Sequence, residues 1–450
     1  MACESGEVFM HFAASQGKAN CSLSFQEIAG SLFVLLLPFS TFWPLSESVS
    51  REIIPIYGSS GFYLTDIPLL LLLTSGAISA WQNRREPRPR LQPATRLVVI
   101  ALILIPVLGL VTAPWAFDPQ LASYTGIRWA LALGVFAAWQ NKAFNLDRLT
   151  KIFLIGLAVQ AVIGILQVVL KQPLGLPGEM ALSIDRPRAA VLWLDGSAWL
   201  RAYGLTFHPN VLGGFLTVGL VLGLPRVNTW WGRICWWLMA AGLVATFSRS
   251  AWLAGALVLV PLAVWLYWQK PELRRPLRIT LGVILAIGLA SLVVLYQPII
   301  NRLDIFSSRS ELASLFSRSE LMKLAIFTLQ HQPLSGIGAG NFPVLVINAN
   351  LLDSPHAVHN VALLLGAEIG IAGGILWYVL LLTPVLTLGK GPYAIDLRIL
   401  ALAAAWLTFG LISFWDSYPW SLEAGRLLCM TLLAWIFRAK ASYIDLDQKT

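Results

Sequence analysis

Charge is scarce in this 450-residue chain. Asp, Glu, Lys and Arg together make up only 12% of it, where a soluble domain carries about 25%. That leaves too little polar surface to cover a globule in water. Three ordinary soluble domains, which the length would allow at roughly 150 residues each, are therefore excluded. Disorder is excluded as well, because hydrophobic residues make up 57% and disordered chains are poor in them. There are only five His, no H-E-x-x-H motif and no paired Asp/Glu cluster within the apolar runs. Metal chemistry and a relay of buried carboxylates are thus both unsupported, and no metal or other cofactor is expected. The four cysteines, Cys3, Cys21, Cys235 and Cys429, show no C-x-x-C spacing, so neither a disulfide framework nor a zinc site is indicated. The N-terminus has no basic stretch running straight into an apolar core and cleavage site, so no removable signal peptide is expected.

Long apolar runs dominate the rest. Stretches near 18–20 residues are candidate membrane helices, and twelve are expected, at about 26–45, 62–81, 96–114, 120–140, 150–170, 206–224, 230–247, 250–268, 278–297, 371–388, 397–415 and 421–437. The chain reads as one all-α, polytopic membrane domain over 1–450. The 19 Trp suit membrane–water interfaces. The net charge of +9 is not gathered into a nucleic-acid patch. With a cytoplasmic N-terminus, most of the basic residues fall in short inner segments, among them Arg84, Arg85, Arg88 and Arg90, then Arg226 and Arg233, then Lys270, Arg274, Arg275 and Arg278. The short turns at about 115–119 and 416–420 on the opposite side have no Lys or Arg. Both termini are therefore expected to be cytoplasmic.

Two long outer loops remain, at about 171–205 and 298–370, and loops of such length are commonly functional. The second is inserted between spans 9 and 10. In it Ser317-Arg318-Ser319-Glu320 has the spacing of a capping box. Leu321, Leu324, Ala325 and Thr328 follow on one helical face, with Lys323 and Gln330 off it and Pro333 as the stop. An amphipathic helix lying on the membrane or on the bundle is expected there. A second short helix is expected from His359 to Gly370.

The outer side also collects groups able to do chemistry. Arg249 stands in the short turn Thr246-Phe247-Ser248-Arg249-Ser250, where it either snorkels to water or clamps an anion bidentately. Arg318 at the expected helix start is a cation at the wrong end of the helix dipole, which an anionic ligand would reverse. Arg201 precedes Gly204-Leu205-Thr206-Phe207-His208-Pro209-Asn210. Gly336-Ile337-Gly338-Ala339-Gly340-Asn341-Phe342 follows no strand and reads as a tight turn, not a nucleotide loop. His359, beside Asn360, is a candidate to hydrogen-bond or deprotonate a hydroxyl. Glu368, nine residues on, falls on roughly the opposite helical face.

In this order, with His359-Asn360 after a long outer loop and Glu368-Ile369-Gly370-Ile371-Ala372-Gly373 beyond it, these motifs resemble the O-antigen ligase family. That family also contains O-antigen polymerases, protein O-oligosaccharyltransferases and relatives once proposed as bicarbonate transporters. The resemblance covers about 200–440 in motif. It implies a GT-C-like glycosyltransferase of the bacterial cytoplasmic membrane. Such an enzyme takes a glycan from undecaprenyl pyrophosphate to an acceptor hydroxyl of a lipid or glycan on the extracytoplasmic face, without metal or nucleotide sugar. By position, His359, Arg249 and Arg318 match the family's functional residues, and Arg201, Asn210, Asn360 and Glu368 are expected to bind substrate. A ligase is the first expectation and a polymerase the second. A small-anion transporter is the alternative of another class, but it should carry charged residues and broken helices at mid-membrane, where this sequence offers chiefly Arg128.

Overall fold

The computed structural model describes residues 24–45, 59–85, 93–141, 143–179, 191–194, 197–303, 309–351, 356–388 and 396–447. Residues 1–22 and 86–90, the latter most of the proline-stiffened basic loop, lie outside them. Each of the twelve expected apolar segments contains a helix: α1 (Phe25–Leu36), α2 (Asp66–Gln82), α3 (Pro93–Val111), α4 (Pro119–Ala138), α5 (Leu146–Leu170), α6 (Pro209–Gly223), α7 (Trp230–Ala245), α8 (Arg249–Gln269), α9 (Arg274–Val294), α14 (Ile371–Leu388), α15 (Leu397–Trp415) and α17 (Glu423–Asp447). Between α9 and α14 lie α10 (Tyr296–Leu303), α11 (Arg309–His331), α12 (Phe342–Asn348) and α13 (Val361–Ile369), and α16 (Tyr418–Ser421) precedes α17. Six segments, Pro93–Trp115, Pro119–Ala138, Leu146–Leu170, Arg249–Gln269, Pro271–Val294 and Leu397–Trp415, are long and apolar enough to cross a membrane. The protein is an all-α membrane protein. Two short antiparallel ribbons, β1 (Phe42–Pro44) with β2 (Gly61–Tyr63) and β3 (Val191–Leu194) with β4 (Ser197–Leu200), are the only strands among the described residues.

The helix starts follow from the sequence. Asp118 accepts from Leu121 N ahead of Pro119, Asn145 from Arg148 N, Thr229 from Gly232 N, and Asp396 from Arg398 N and Ile399 N. Each side chain satisfies an amide that the helix leaves without a partner. Burial then sorts the helices. α6 is buried from Val211 to Gly223, as expected of a helix apolar all round and enclosed by others. α9 buries only Leu277 and Thr280 and exposes Leu281, Leu285, Leu289 and Val293, a surface that suits lipid.

Side-chain contacts define two ends. At one, Asp147 pairs with Arg226 at 3.1 Å and with Arg398 at 3.2 Å, and Arg148 pairs with Glu27 at 3.1 Å. At the other, the turn after α1 meets the one after α5, and the turn after α3 meets the inserted segment. Ser40 N donates to Leu205 O, Trp115 Nε1 to Ser335 O, and Asp118 N to Asn341 Oδ1. The insertion has its own small core of Leu321, Ala325, Ile337, Phe342, Val346, Val358 and Leu364, so it caps this end as a packed unit.

Two expectations need correction. α11 begins at Arg309, not at Ser317. Glu320 pairs with Lys323 at 2.6 Å, and Ser319 Oγ donates to Phe316 O. Arg318 is thus inside the helix, and the argument from the helix dipole does not apply to it. The apolar face is as expected, with Leu321, Ala325 and Thr328 buried and Lys323 and Gln330 exposed. The second correction concerns buried charge. Arg128 of α4 meets Asp66 at 2.6 Å and Glu423 at 2.8 Å, and Glu423 meets Arg426 at 2.7 Å. Four residues from three helices close into a neutral cluster, which is how a low-dielectric interior tolerates charge.

This cluster generates a prediction. Glu423→Gln leaves two buried guanidiniums facing the single carboxylate of Asp66. Breaking a buried pair from one side typically costs about 3–5 kcal/mol. The thermal midpoint in detergent should fall clearly, and an unchanged midpoint would mean that the cluster contributes nothing to stability.

Candidate functional site

The turn between α7 and α8 is tight and strained. Phe247 is fully buried with φ +50°, a left-handed conformation that costs a bulky residue of order 1–3 kcal/mol. The surroundings enforce it. Thr246 Oγ1 donates to Leu243 O at 2.7 Å, and Ser248 N donates to Thr246 Oγ1 at 3.2 Å. From outside the turn, Arg201 donates through Nε to Thr246 O at 2.8 Å and through Nη2 to Phe247 O at 3.4 Å. Held in this way, the chain enters α8 with Arg249 as its first helical residue. The unfavourable position expected for Arg318, a guanidinium at the positive end of a helix, belongs in fact to Arg249.

Arg201 also donates through Nη2 to Asn210 Oδ1 at 2.8 Å, and Asn210 Nδ2 donates to Asp416 Oδ2 at 3.0 Å. Arg201 and Asn210 therefore brace the site. Asp416 caps the end of α15 and is buried. Its Oδ1 accepts from Ser417 N at 2.9 Å and from Tyr418 N at 3.4 Å. The turn can form because Gly214 of α6 has no side chain: a Cβ there would lie 1.5 Å from Tyr418 Oη. His359 Nδ1 stands 3.7 Å from Asp416 Oδ1. That is just outside hydrogen-bond distance, and such contacts often tighten when substrate arrives. Burial would raise the carboxyl pKa of Asp416. The neighbours, His359 first, then Arg318 and His208, more than offset this and hold it well below the usual carboxylate range. Asp416 is therefore ionised at any working pH.

Asn360 stands next to His359 at the start of α13. Its Oδ1 accepts from Leu363 N at 2.9 Å and caps α13, which fixes the backbone next to His359. Glu368 is likewise internal. Its Oε1 accepts from Phe342 N at 3.3 Å, and the amide of Gly340 also donates to it. The glycine-rich turn wraps the end of α13, with Gly338 N donating to Glu368 O at 2.9 Å. Gly336 and Gly338 have φ +61° and +102°, and a Cβ at Gly336 would lie 2.3 Å from Glu368 O. The turn is structural, as its sequence suggests.

The structure thus brings Arg201, Asn210, His359 and Asp416 together directly. It places Arg318 within electrostatic reach of Asp416 and sets Arg249 on the turn that Arg201 holds. Asn360 and Glu368 support the elements around this group. Asp416 is the member that sequence reasoning missed. Its signal was a lone carboxylate in the short turn Trp415-Asp416-Ser417-Tyr418, on the side that carries the arginines and His359.

A family model described as O-antigen ligase matches residues 234–378. Over this segment the chain is similar to the O-antigen ligase family. The segment contains Arg249, Arg318, His359, Asn360 and Glu368, while Arg201, Asn210 and Asp416 lie outside it and reach its residues through the fold. This similarity supports transfer or polymerisation of lipid-linked glycans as the general activity. No curated protein matches the chain.

Glu368 carries a pH prediction. Burial pushes its carboxyl up to about 7, against the lowering effect of the Gly340 and Phe342 amides. A raised folded pKa means that the stability is fully present below the unfolded value and is lost as pH rises through the folded one. The protein should therefore lose thermal stability between about pH 5 and pH 8 through this residue. Glu368→Gln keeps the acceptor and removes the titration, so it should flatten that slope and raise the midpoint at pH 8. An identical slope in the variant would show that Glu368 does not titrate there.

Proposed function

We propose that the protein is a glycosyltransferase of lipid-linked glycans. It takes a glycan from undecaprenyl pyrophosphate and joins it to an acceptor hydroxyl on the extracytoplasmic face of the bacterial cytoplasmic membrane. All twelve helices span the membrane, both termini are cytoplasmic, and the end that bears His359 faces outward. A ligase acting on a lipid acceptor is the preferred form. The observation that carries the reading is the joining of His359 to a buried, ionised Asp416 at the end of the bundle where Arg249 and Arg318 also lie.

The chemistry follows from the groups. The acceptor oxygen attacks the anomeric carbon, the bond to the pyrophosphate oxygen breaks, and the electron pair stays on the departing pyrophosphate. Negative charge grows there as the bond lengthens. Fixed guanidiniums stabilise it more in the transition state than in the ground state. Arg249 and Arg318 supply this charge. At the start of α8, Arg249 is joined by helix amides that also favour an anion. Asp416 orients His359 by accepting Nδ1–H, which leaves Nε2 to take the hydroxyl proton. Arg201 and Asn210 hold Asp416 in place.

His359→Ala should lower transfer by about 10²–10⁴ while donor binding survives, because the arginines remain. Asp416 is a positioning residue. Asp416→Asn should reduce kcat by a similar order through the wrong imidazole tautomer, with the donor KM little changed, and Asp416→Glu should recover part of the loss. If His359→Ala folds normally but no longer binds donor, the assignment of His359 to the acceptor fails.

Arg249→Lys keeps the charge but cannot make the bidentate contact. Most activity should disappear in transfer assays, whereas full activity would reduce Arg249 to an anchor at the membrane edge. For the topology, a cysteine at Leu334, which is 84% exposed, should react with an impermeant thiol reagent added to intact spheroplasts. One at Arg85 should react only after lysis. The reverse pattern would place the site on the wrong side for a lipid-linked donor.

A further inference from the structure

The opposite end of the bundle holds a cavity that glycan transfer does not use. It has a volume of about 310 Å³ and lies among the starts of α5 and α15, the end of α6 and the later turns of α17. One water needs only about 10–15 Å³, so there is room for a phosphate group. Three guanidiniums line it, from Arg226, Arg398 and Arg438, against two carboxylates, from Asp147 and Asp396. Both carboxylates are already engaged. Asp147 bridges Arg226 and Arg398, and Asp396 caps α15 by accepting from Arg398 N at 2.7 Å. The wall keeps a net positive charge, and the N-termini of two long helices add partial positive charge to it. Trp435, 2% exposed, also lines the cavity.

We propose that this cavity is a binding site for a phosphate mono- or diester. Arg226 and Arg398 supply the charge that recognises it. Two sources share that chemistry: the headgroup of an anionic phospholipid in the adjoining leaflet, for which basic pockets between helices are suited, and a soluble phosphate compound.

The test uses the full chain in nanodiscs. One arm compares phosphatidylcholine alone with a three-to-one mixture of phosphatidylcholine and phosphatidylglycerol. The other titrates inorganic phosphate into the phosphatidylcholine sample. The readouts are the thermal midpoint and, by native mass spectrometry, the retained phospholipid. Stabilisation by phosphatidylglycerol with one retained lipid supports a headgroup site, and saturable stabilisation by phosphate alone supports a soluble ligand. Either effect should weaken about fivefold in Arg398→Gln, the loss expected for one basic residue. The side chain of Arg398 is 69% exposed, so this variant should fold. Arg275→Gln, which removes an exposed charge outside the cavity, should change nothing. No stabilisation in either arm overturns the proposal. So does an effect that survives the Arg226→Gln/Arg398→Gln double variant, or one lost equally in Arg275→Gln, which would reduce it to general surface potential.

Discussion

The carboxylate of Asp416 is the constraint on which the candidate site depends. It is buried, accepts from two backbone amides of its own turn, and receives Asn210 from α6, which is in turn held by Arg201. A carboxylate so placed must find positive charge or protonate. The fold supplies that charge from Arg318 and sets His359 beside the carboxylate. The same arrangement joins three separate parts of the chain, because the Arg201 brace also sets the strained turn that leads into Arg249. Losing the charge of Asp416 would therefore disturb the orientation of His359, while Arg201 keeps its own bonds to the carbonyls of the α7–α8 turn.

The two ends of the bundle handle charge differently. At the site end, ionised groups are buried and matched: Arg128 and Arg426 by Asp66 and Glu423, with Asp416 beside His359. At the other end, basic residues outnumber acidic ones and several lie exposed. The first pattern suits a preorganised site, in which fixed charges stand ready for charge that develops during reaction. The second suits contact with phosphate-bearing surfaces.

Much of this was legible in the sequence, for physical reasons. Long apolar runs and caps such as Asp118, Asn145 and Thr229 give the helices, and 3.6-residue periodicity gives the buried face of α11. The family resemblance was carried by short motifs on turns, and the matched segment contains most of them. Other features were not legible. The Arg128–Asp66–Glu423–Arg426 cluster is assembled from three helices, and no local spacing brings 66, 128 and 423 together. The start of α11 was misplaced because Ser317 and Glu320 have capping-box spacing, while the helix begins eight residues earlier. The roles of Arg201, Asn360 and Glu368 turned on partners in other elements: two carbonyls of a distant turn for Arg201, the first turn of α13 for Asn360, and the glycine loop for Glu368.

The central claim is that the chain consumes a lipid-linked glycan. The most direct measurement is the pool of undecaprenyl-pyrophosphate-linked glycan, resolved by length, in cells from which this chain has been deleted. The account predicts that the pool rises and that it carries long chains, because assembled glycan is no longer passed to its acceptor. A pool unchanged in both amount and length would contradict it.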